Sequence, residues 1–140
     1  MQLVSRGTDY AIRAMLHVAA AGDGGTATTQ EIAENQGISQ VFLSKIVQRL
    51  VRAGFLRAYR GAAGGITLSQ SPSDINLRQI VEVMEGPMAL NRCLVKPGEC
   101  HRDRTCPIHE VWVEAQQNLL GVLESTTLDQ LAVRGKELAG

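Results

Sequence analysis

Long apolar runs are missing from this sequence of 140 residues. No stretch approaches the roughly 20 consecutive apolar residues that a transmembrane helix needs, and no charged segment followed by an apolar run opens the chain, which argues against a signal peptide. Net charge is also missing, because 14 lysines and arginines offset 14 acidic residues. Cysteine is scarce, and its odd count of three argues against a disulfide framework. We therefore expect a soluble cytoplasmic protein of one domain, or one domain with an appended segment.

The zero net charge conceals an interval that lacks acidic residues. Between Glu34 and Asp74 there is no aspartate or glutamate, whereas five cations lie there: Lys45, Arg49, Arg52, Arg57 and Arg60. After Asp74, seven lysines and arginines stand against nine acids, a balance of minus two. A basic interval within an otherwise neutral to acidic chain favours a polyanionic partner for that interval.

Three amphipathic helices are predicted in the first 54 residues. The apolar residues of the first helix recur at helical spacing: Ala11, Ala14, Met15 and Val18. The second begins at Thr28, has Glu31 as a capping-box partner three residues later, and ends at Gly37. The third begins at Ser39, ends at Gly54 and carries one apolar stripe: Leu43, Ile46, Val47, Leu50 and Val51.

Two alternating segments follow, "FLRAYR" and "GITLSQ", and the glycine-rich tip "GAAGG" between them predicts a β-hairpin. An amphipathic helix with Leu77, Ile80, Val81 and Met84 comes next. A long helix is predicted from about His109, and "STTLDQLA" adds a final turn or two. The predicted fold class is mainly α with a small β-hairpin wing: a winged helix-turn-helix followed by a long C-terminal dimerisation helix.

The third helix and the hairpin together favour binding to double-stranded DNA, because an α-helix fits the major groove and its N-terminal residues reach base edges. Gln40 and Ser44 are the candidates for base contacts, and the phosphate candidates include Lys45, Arg49 and Ser39. The slim wing tip suits a narrow minor groove. The alternative for this helix alone is an ordinary solvated face. The predicted DNA-binding residues are Thr29, Ser39, Gln40, Ser44, Lys45, Gln48, Arg49, Arg60 and Gly61.

All three cysteines lie in one polar segment, at Cys93, Cys100 and Cys106, and His109 follows the last by three positions. Three thiolates and one imidazole suit either tetrahedral zinc or an iron–sulfur cluster. The spacings of six and five intervening residues argue against zinc, which usually takes knuckles of two to four. His101 is expected to face solvent. No third orienting group supports a catalytic thiol, so no enzyme is predicted.

The chain resembles the Rrf2 family of bacterial winged-helix regulators in several segments: "GTDYAIRAML", "IAENQGIS", "FLSKIVQRLVRAGFL", "RGAAGGITL", the three-cysteine loop, and "TLDQL" after the long helix. The resemblance covers nearly the whole chain, and the glycine-rich wing and cysteine loop are its most specific parts. It implies a homodimer that senses iron–sulfur status, nitric oxide or iron through a cluster on three cysteines. In this chain six residues separate Cys93 and Cys100, whereas the common spacing is five.

The fourth ligand differs among subfamilies of that family. In one it is a histidine three positions after the last cysteine, which is His109 here. In another it is an N-terminal aspartate supplied by the other subunit, and Asp9 stands at that place. We favour His109, because imidazole is an attested substitute for thiolate at cluster iron.

Our hypothesis is a homodimeric transcription regulator whose affinity for a two-fold symmetric operator is controlled by an iron–sulfur cluster, with [2Fe–2S] preferred over [4Fe–4S]. Residues 1–85 form the DNA-binding domain, 86–108 the cluster-binding loop, and 109–140 the dimerisation helix and C-terminal tail. The alternatives are a winged-helix regulator stabilised by zinc and one that works as a thiol switch without a cluster.

Overall fold

The structure is a computed structural model and describes residues 2–22, 25–60 and 64–140. Within these residues it contains six α-helices and one antiparallel hairpin. The N-terminal helices are α1 (Arg6–Ala20), α2 (Thr29–Gln36) and α3 (Gln40–Arg52). The hairpin strands are β1 (Leu56–Tyr59) and β2 (Gly65–Leu68). The remaining helices are α4 (Leu77–Glu85), α5 (Pro107–Ser125) and α6 (Leu128–Ala139). Short 3₁₀ turns lie at Pro72–Asp74 and Arg92–Leu94.

The first helices begin where the sequence predicts. The Thr28 hydroxyl accepts the amide of Glu31 at 3.0 Å, and the Glu31 carboxylate accepts the amide of Thr28 at 3.3 Å, which completes the capping box of α2. The Ser39 hydroxyl accepts the Phe42 amide at 3.1 Å and starts α3. Gly37 ends α2 in the left-handed region at φ 68°, which glycine adopts without the penalty of a Cβ atom. The turn between α2 and α3 is thereby kept short.

The core lies between α1, α3, α4 and the hairpin. The four residues predicted to face inward from α1 are buried, as are four of the five in the α3 stripe, whereas Val51 is half-buried. The side chains of Met15, Leu43, Leu50 and Ile80 are fully enclosed. Burial of a large aliphatic side chain stabilises a fold by about 1.5–3 kcal/mol, so this shared core is what sets the angle between α3 and its neighbours.

The hairpin pairs Leu56 with Leu68 and Tyr59 with Gly65 in antiparallel register. Ala27 extends it, since the Ala27 amide donates to the Ile66 carbonyl at 3.1 Å. A Cβ atom on Gly65 would lie 3.1 Å from the Ala27 carbonyl oxygen, so this close approach favours glycine. The predicted fold class is confirmed: the chain is mainly helical with a two-stranded wing.

The C-terminal third differs from the prediction in two details. The long helix α5 begins at Pro107, two residues earlier than expected, because the ring of a proline at the first helical position already holds a helical φ. The last segment, predicted to add a turn or two, forms the twelve-residue helix α6, which packs on α1. Leu128 is fully buried, and its amide donates to the Ile75 carbonyl at 2.9 Å. The C-terminal helix therefore completes the N-terminal core.

Candidate functional site

The outward face of α3 is mostly polar and cationic, with one exposed valine in its first turn. Four residues along it are exposed, opposite the buried stripe: Val41, Lys45, Gln48 and Arg52. Ser44 lies on the same face and is half-buried. No acid occurs in α3, so its positive charges face solvent without a neighbouring carboxylate on the helix. This face has the shape and charge that a helix needs to enter a major groove.

The predicted DNA-binding residues have different surroundings. Gln40, Lys45, Gln48 and Arg60 are exposed, as expected of residues that contact DNA. Ser39 is exposed too, and its hydroxyl already serves as the cap of α3. Thr29 is the half-buried first residue of α2. Gly61 lies outside the described residues.

Arg49, predicted as a phosphate contact, has a protein partner. Its guanidinium donates to the carbonyl oxygens of Val83 at 3.0 Å and Met84 at 3.2 Å, in the last turn of α4. These carbonyls are among the last four of the helix, which have no hydrogen-bond partner within the helix itself. Arg49 therefore stabilises the contact between α3 and α4, although its side chain is exposed. Its role as a phosphate contact stays a prediction.

Val41 and Arg52 were missed as candidates in the sequence. Val41 is 70% exposed in the first turn of α3, at the N-terminal end of the outward face. An exposed valine there provides an apolar contact of the kind that recognises a thymine methyl group. Helical spacing is the signal that could have found both, because residues 41, 45, 48 and 52 share one side of α3.

The second candidate site is a cavity of about 400 Å³ beside the start of α5. All three cysteines line it, they are free thiols, and each is half-buried. His109 and Trp112 from α5 also line it, as do Glu99 and Asp103 from the loop. The loop therefore brings together the four residues that the sequence predicts as ligands.

Local structure explains how these four residues meet. Cys93 lies in the 3₁₀ turn Arg92–Leu94, and Cys106 is the N-cap residue of α5. The amide of His109 donates to the Cys106 carbonyl at 3.1 Å, so both side chains belong to the first turn of this helix. The intervening loop is braced by the Gly98 amide, which donates to the Asp103 carboxylate at 2.9 Å.

The four candidate ligands surround the cavity, but they do not form a compact site for one metal ion. Over residues 2–22, 25–60 and 64–140, no three histidine, cysteine, aspartate or glutamate side chains are close enough to hold a single metal ion. In those same ranges His109 Nδ1 is buried and has no hydrogen-bond partner. A buried polar nitrogen without a partner costs about 1–3 kcal/mol. Three thiols and one imidazole around a cavity are donor types that an iron–sulfur cluster takes, so the residues present fit such a group.

Two further residues, His101 and Asp9, were considered as ligands from the sequence. His101 lines the cavity but is exposed, as predicted. Asp9 is exposed on α1, forms an ion pair with Arg13 at 3.2 Å, and is not among the residues that line the cavity of its own chain. A role for Asp9 as a ligand from the other subunit stays a prediction.

The winged helix and its basic recognition face are those of a DNA-binding transcription regulator. Among the described residues, no helix is long and apolar enough to cross a membrane. The chain belongs to the Rrf2 family. Residues 4–134 match the family model described as "Iron-dependent Transcriptional regulator". The HTH-type transcriptional regulator IscR of Escherichia coli is 33% identical over 131 residues, which are 94% of this chain and 80% of that protein.

Two solved structures are similar over nearly the whole chain. The global cysteine regulator CymR of B. subtilis has a TM-score of 0.80 and 29% identity, and the match covers 96% of this chain and 98% of that one. The IscR of T. potens has a TM-score of 0.77 and 28% identity, with 96% of this chain and 89% of that one covered. These relatives are regulators, which accords with the prediction that the chain is not an enzyme.

Proposed function

We propose that this protein is a homodimeric, cytoplasmic transcription regulator whose affinity for operator DNA is set by an iron–sulfur cluster. The carrying observation is the cavity of about 400 Å³ in which Cys93, Cys100, Cys106 and His109 meet. A cluster bound there changes its charge and ligand set when it is oxidised, damaged or lost, and this is the chemistry that it supplies to a sensor.

DNA binding rests on the outward face of α3 and on the wing. We assign Lys45 and Arg52 to phosphates, and Gln40, Val41 and Ser44 to base edges because they occupy the first turns of the helix. Arg60 leads into the wing tip, and we assign it to the minor groove. A single winged helix reaches few base pairs, so two copies on half-sites about one helical turn, ~34 Å, apart are expected.

Dimerisation rests on α5. This helix has 19 residues, and none of them is buried in the single chain. Val111 is 52% and Val122 is 63% exposed, although both are apolar. Exposed apolar residues along a helix of this length mark a surface that another protein surface covers. A second copy of the same helix is the partner that a two-fold operator requires.

Three thiolates and the imidazole of His109 would hold the cluster. His109 adds a neutral donor, and its place in the first turn of α5 ties the cluster to the helix that we assign to the dimer. The thiols need to be deprotonated to bind iron, so cluster binding would release protons. Cluster loss would release both ends of the loop at once, at Cys93 and at Cys106.

Absorption of anaerobically purified protein tests the cluster directly. We expect charge-transfer bands in the visible, and Mössbauer spectra that distinguish [2Fe–2S] from [4Fe–4S]. Colourless protein with one zinc ion per chain contradicts the cluster and supports the zinc-stabilised regulator. For DNA, a duplex selected by the protein from a random pool should lose affinity steeply with salt, because each phosphate contact releases counterions.

A thiol switch is the second candidate, and the observation that favours it is that all three cysteines are free and line the same cavity. In that case metal-free protein would lose DNA binding on peroxide treatment and regain it on reduction. Replacement of Cys93 by serine in the metal-free protein would then abolish the response. If the metal-free protein is insensitive to peroxide, this candidate is excluded.

A further inference from the structure

The last turn of α4 is a junction between three parts of the molecule. From α3, the guanidinium of Arg49 donates to the carbonyl oxygens of Val83 and Met84 at 3.0 and 3.2 Å. From the start of α1, the amide of Ser5 and the hydroxyl of Thr8 donate to the Glu85 carboxylate at 2.6 and 2.9 Å. The helix end is therefore bound on two sides by polar contacts between residues far apart in sequence.

The third part attached to this junction is the cysteine loop. Gly86 ends α4 at φ 86°, where the chain turns away, and seven residues separate Glu85 from Cys93. Within this segment the Leu90 amide donates to the Gln116 side chain on α5 at 2.8 Å. Cys93 is therefore joined to the last turn of α4 by a short segment that is itself held to α5.

The bond pattern of Arg49 is that of a helix cap. The carbonyl of Glu82 accepts the Gly86 amide at 2.8 Å, but the carbonyls of Val83 and Met84 lie beyond the last partner that α4 itself can supply. A guanidinium satisfies both, and its charge complements the negative end of the helix dipole. If the last turn of α4 moves, Arg49 loses these two bonds, and the last turn of the recognition helix is no longer held against α4.

We propose that Arg49 is a positioning residue that couples the cysteine loop to the recognition helix through the last turn of α4. It does not act as a phosphate contact. The proposal rests on the proposed function, because the two states that it couples are the protein with and without its cluster. A coupling of this kind requires a contact that differs between the two states. We assign that role to the bonds from Arg49 to α4, which are formed in this structure.

The test compares Arg49→Gln with Arg52→Gln, which removes the same charge three residues later, from the outward face of α3. Affinity for a duplex selected by the wild-type protein from a random pool is measured with and without the cluster, at several salt concentrations. We expect Arg49→Gln to bring the affinity ratio of the two states to within about twofold of one, from a range of about 5–150-fold that is typical of coupled sites. Its salt slope should not change.

Arg52→Gln should behave in the opposite way. It should keep the affinity ratio and lower the salt slope by about one, as expected for one lost phosphate contact. If Arg49→Gln instead lowers the slope by about one and keeps the ratio, Arg49 is a phosphate contact and the coupling proposal is wrong. Arg49→Lys retains the charge and can still donate to a carbonyl, so it should restore part of the ratio.

Hydrogen exchange separates this proposal from the proposed function. In cluster-free protein, Arg49→Gln should speed exchange of the Gly86 amide by tenfold or more, because the last turn of α4 frays, while Arg52→Gln should leave it unchanged. Equal exchange in both variants overturns the positioning role, whatever the cluster does. If exchange speeds up as expected but the wild-type protein binds DNA equally with and without the cluster, the proposed function fails and so does the coupling.

Discussion

Helices α3 and α5 both carry apolar residues at helical spacing, yet they bury very different amounts of surface. Four side chains of α3 are buried, because α1, α2 and α4 of the same chain pack around it. None of the 19 residues of α5 is buried, although the helix contacts α4. Amphipathic spacing therefore predicts that a helix has a partner, but it does not tell whether that partner is in the same chain.

The same contrast holds for polar groups. The capping oxygens of α2 and α3 are satisfied by amides three residues away. The cysteine thiols are free, and His109 Nδ1 has no partner among the described residues. The winged helix is thus complete in one chain, whereas the region from Cys93 to Ser125 is completed by a ligand and a second copy in our proposal.

The largest expected effect is on the free energy of unfolding, and it concerns the core of the winged helix. Leu50→Ala removes a fully buried side chain from the core and should lower the free energy of unfolding by about 2–5 kcal/mol, measured by urea denaturation. The matched control on the same helix is Gln48→Ala, which is exposed and should stay within about 0.5 kcal/mol of the wild type. Similar values for the two variants would contradict the core assignment of α3.

The dimer surface on α5 is tested next. Val122→Asp should raise the dimer dissociation constant by about a hundredfold or more, because a carboxylate would lie unpaired between apolar helices. Sedimentation velocity at micromolar concentration measures this, and circular dichroism should show intact helices. Val133→Asp is the control, since Val133 is a comparably exposed valine on α6. A monomeric Val133→Asp and a dimeric Val122→Asp would place the interface on α6.

The fourth cluster ligand comes either from the C-terminal region itself, as His109, or from the partner subunit, as Asp9. His109→Ala should lower cluster affinity by at least the ten- to hundredfold that is typical when even an outer partner of a metal ligand is lost. The visible absorption per chain after anaerobic reconstitution measures it. His101→Ala, at the exposed histidine of the same cavity, should retain the cluster. Loss of absorption in Asp9→Ala, with no loss in His109→Ala, would assign the ligand to the partner subunit.

The contact between α1 and α4 should depend on pH. Hydrogen bonds from the Ser5 amide, the Thr8 hydroxyl and the Ser5 hydroxyl lower the pKa of Glu85 below its ordinary value of 4.5. Since the pKa is lower in the folded state, Glu85 adds stability above its unfolded pKa and loses it as the pH falls through the folded value.

Urea unfolding of Glu85→Gln at a series of pH values tests this sign. The variant should be less stable than the wild type at pH 7, and the difference should vanish as the pH falls below the folded pKa. Glu114→Gln, an exposed glutamate on α5, is the control and should follow the wild type at every pH. A difference for Glu85→Gln that persists at the lowest pH would show that its carboxylate charge is not what matters.

The smallest effect concerns Val41 on the outward face of α3. Replacement of thymine by uracil at one position of the selected duplex removes a single methyl group, and we expect about a fourfold loss of affinity, since one buried methyl group is worth about 0.8 kcal/mol. Val41→Ser should bind the two duplexes equally. Val133→Ser keeps the wild-type response as a control. If no thymine position responds to this exchange, Val41 does not read the base edge.

Local features were predictable from the sequence. The caps at Thr28 and Ser39 and the inward face of α1 follow from spacings of three and four residues, which depend only on helix geometry. The approach of Cys106 and His109 follows from the same geometry, because both lie in the first turn of α5. Interactions between distant segments were not predictable: the bonds from Arg49 to α4 span more than thirty residues, and nothing near Arg49 in the sequence indicates them.

The sequence alone determined most of the helices, the winged arrangement, the basic interval and the choice of candidate ligands, because periodicity, capping and residue chemistry act within a few positions. Only the tertiary structure decided that Arg49 bonds to α4, that Leu128 returns to the core, and that the four candidate ligands line one cavity while α5 stays uncovered in the single chain. These outcomes depend on how distant segments pack against one another. The burial of each side chain depends on the packing of the whole chain, so it cannot be predicted from the local sequence pattern.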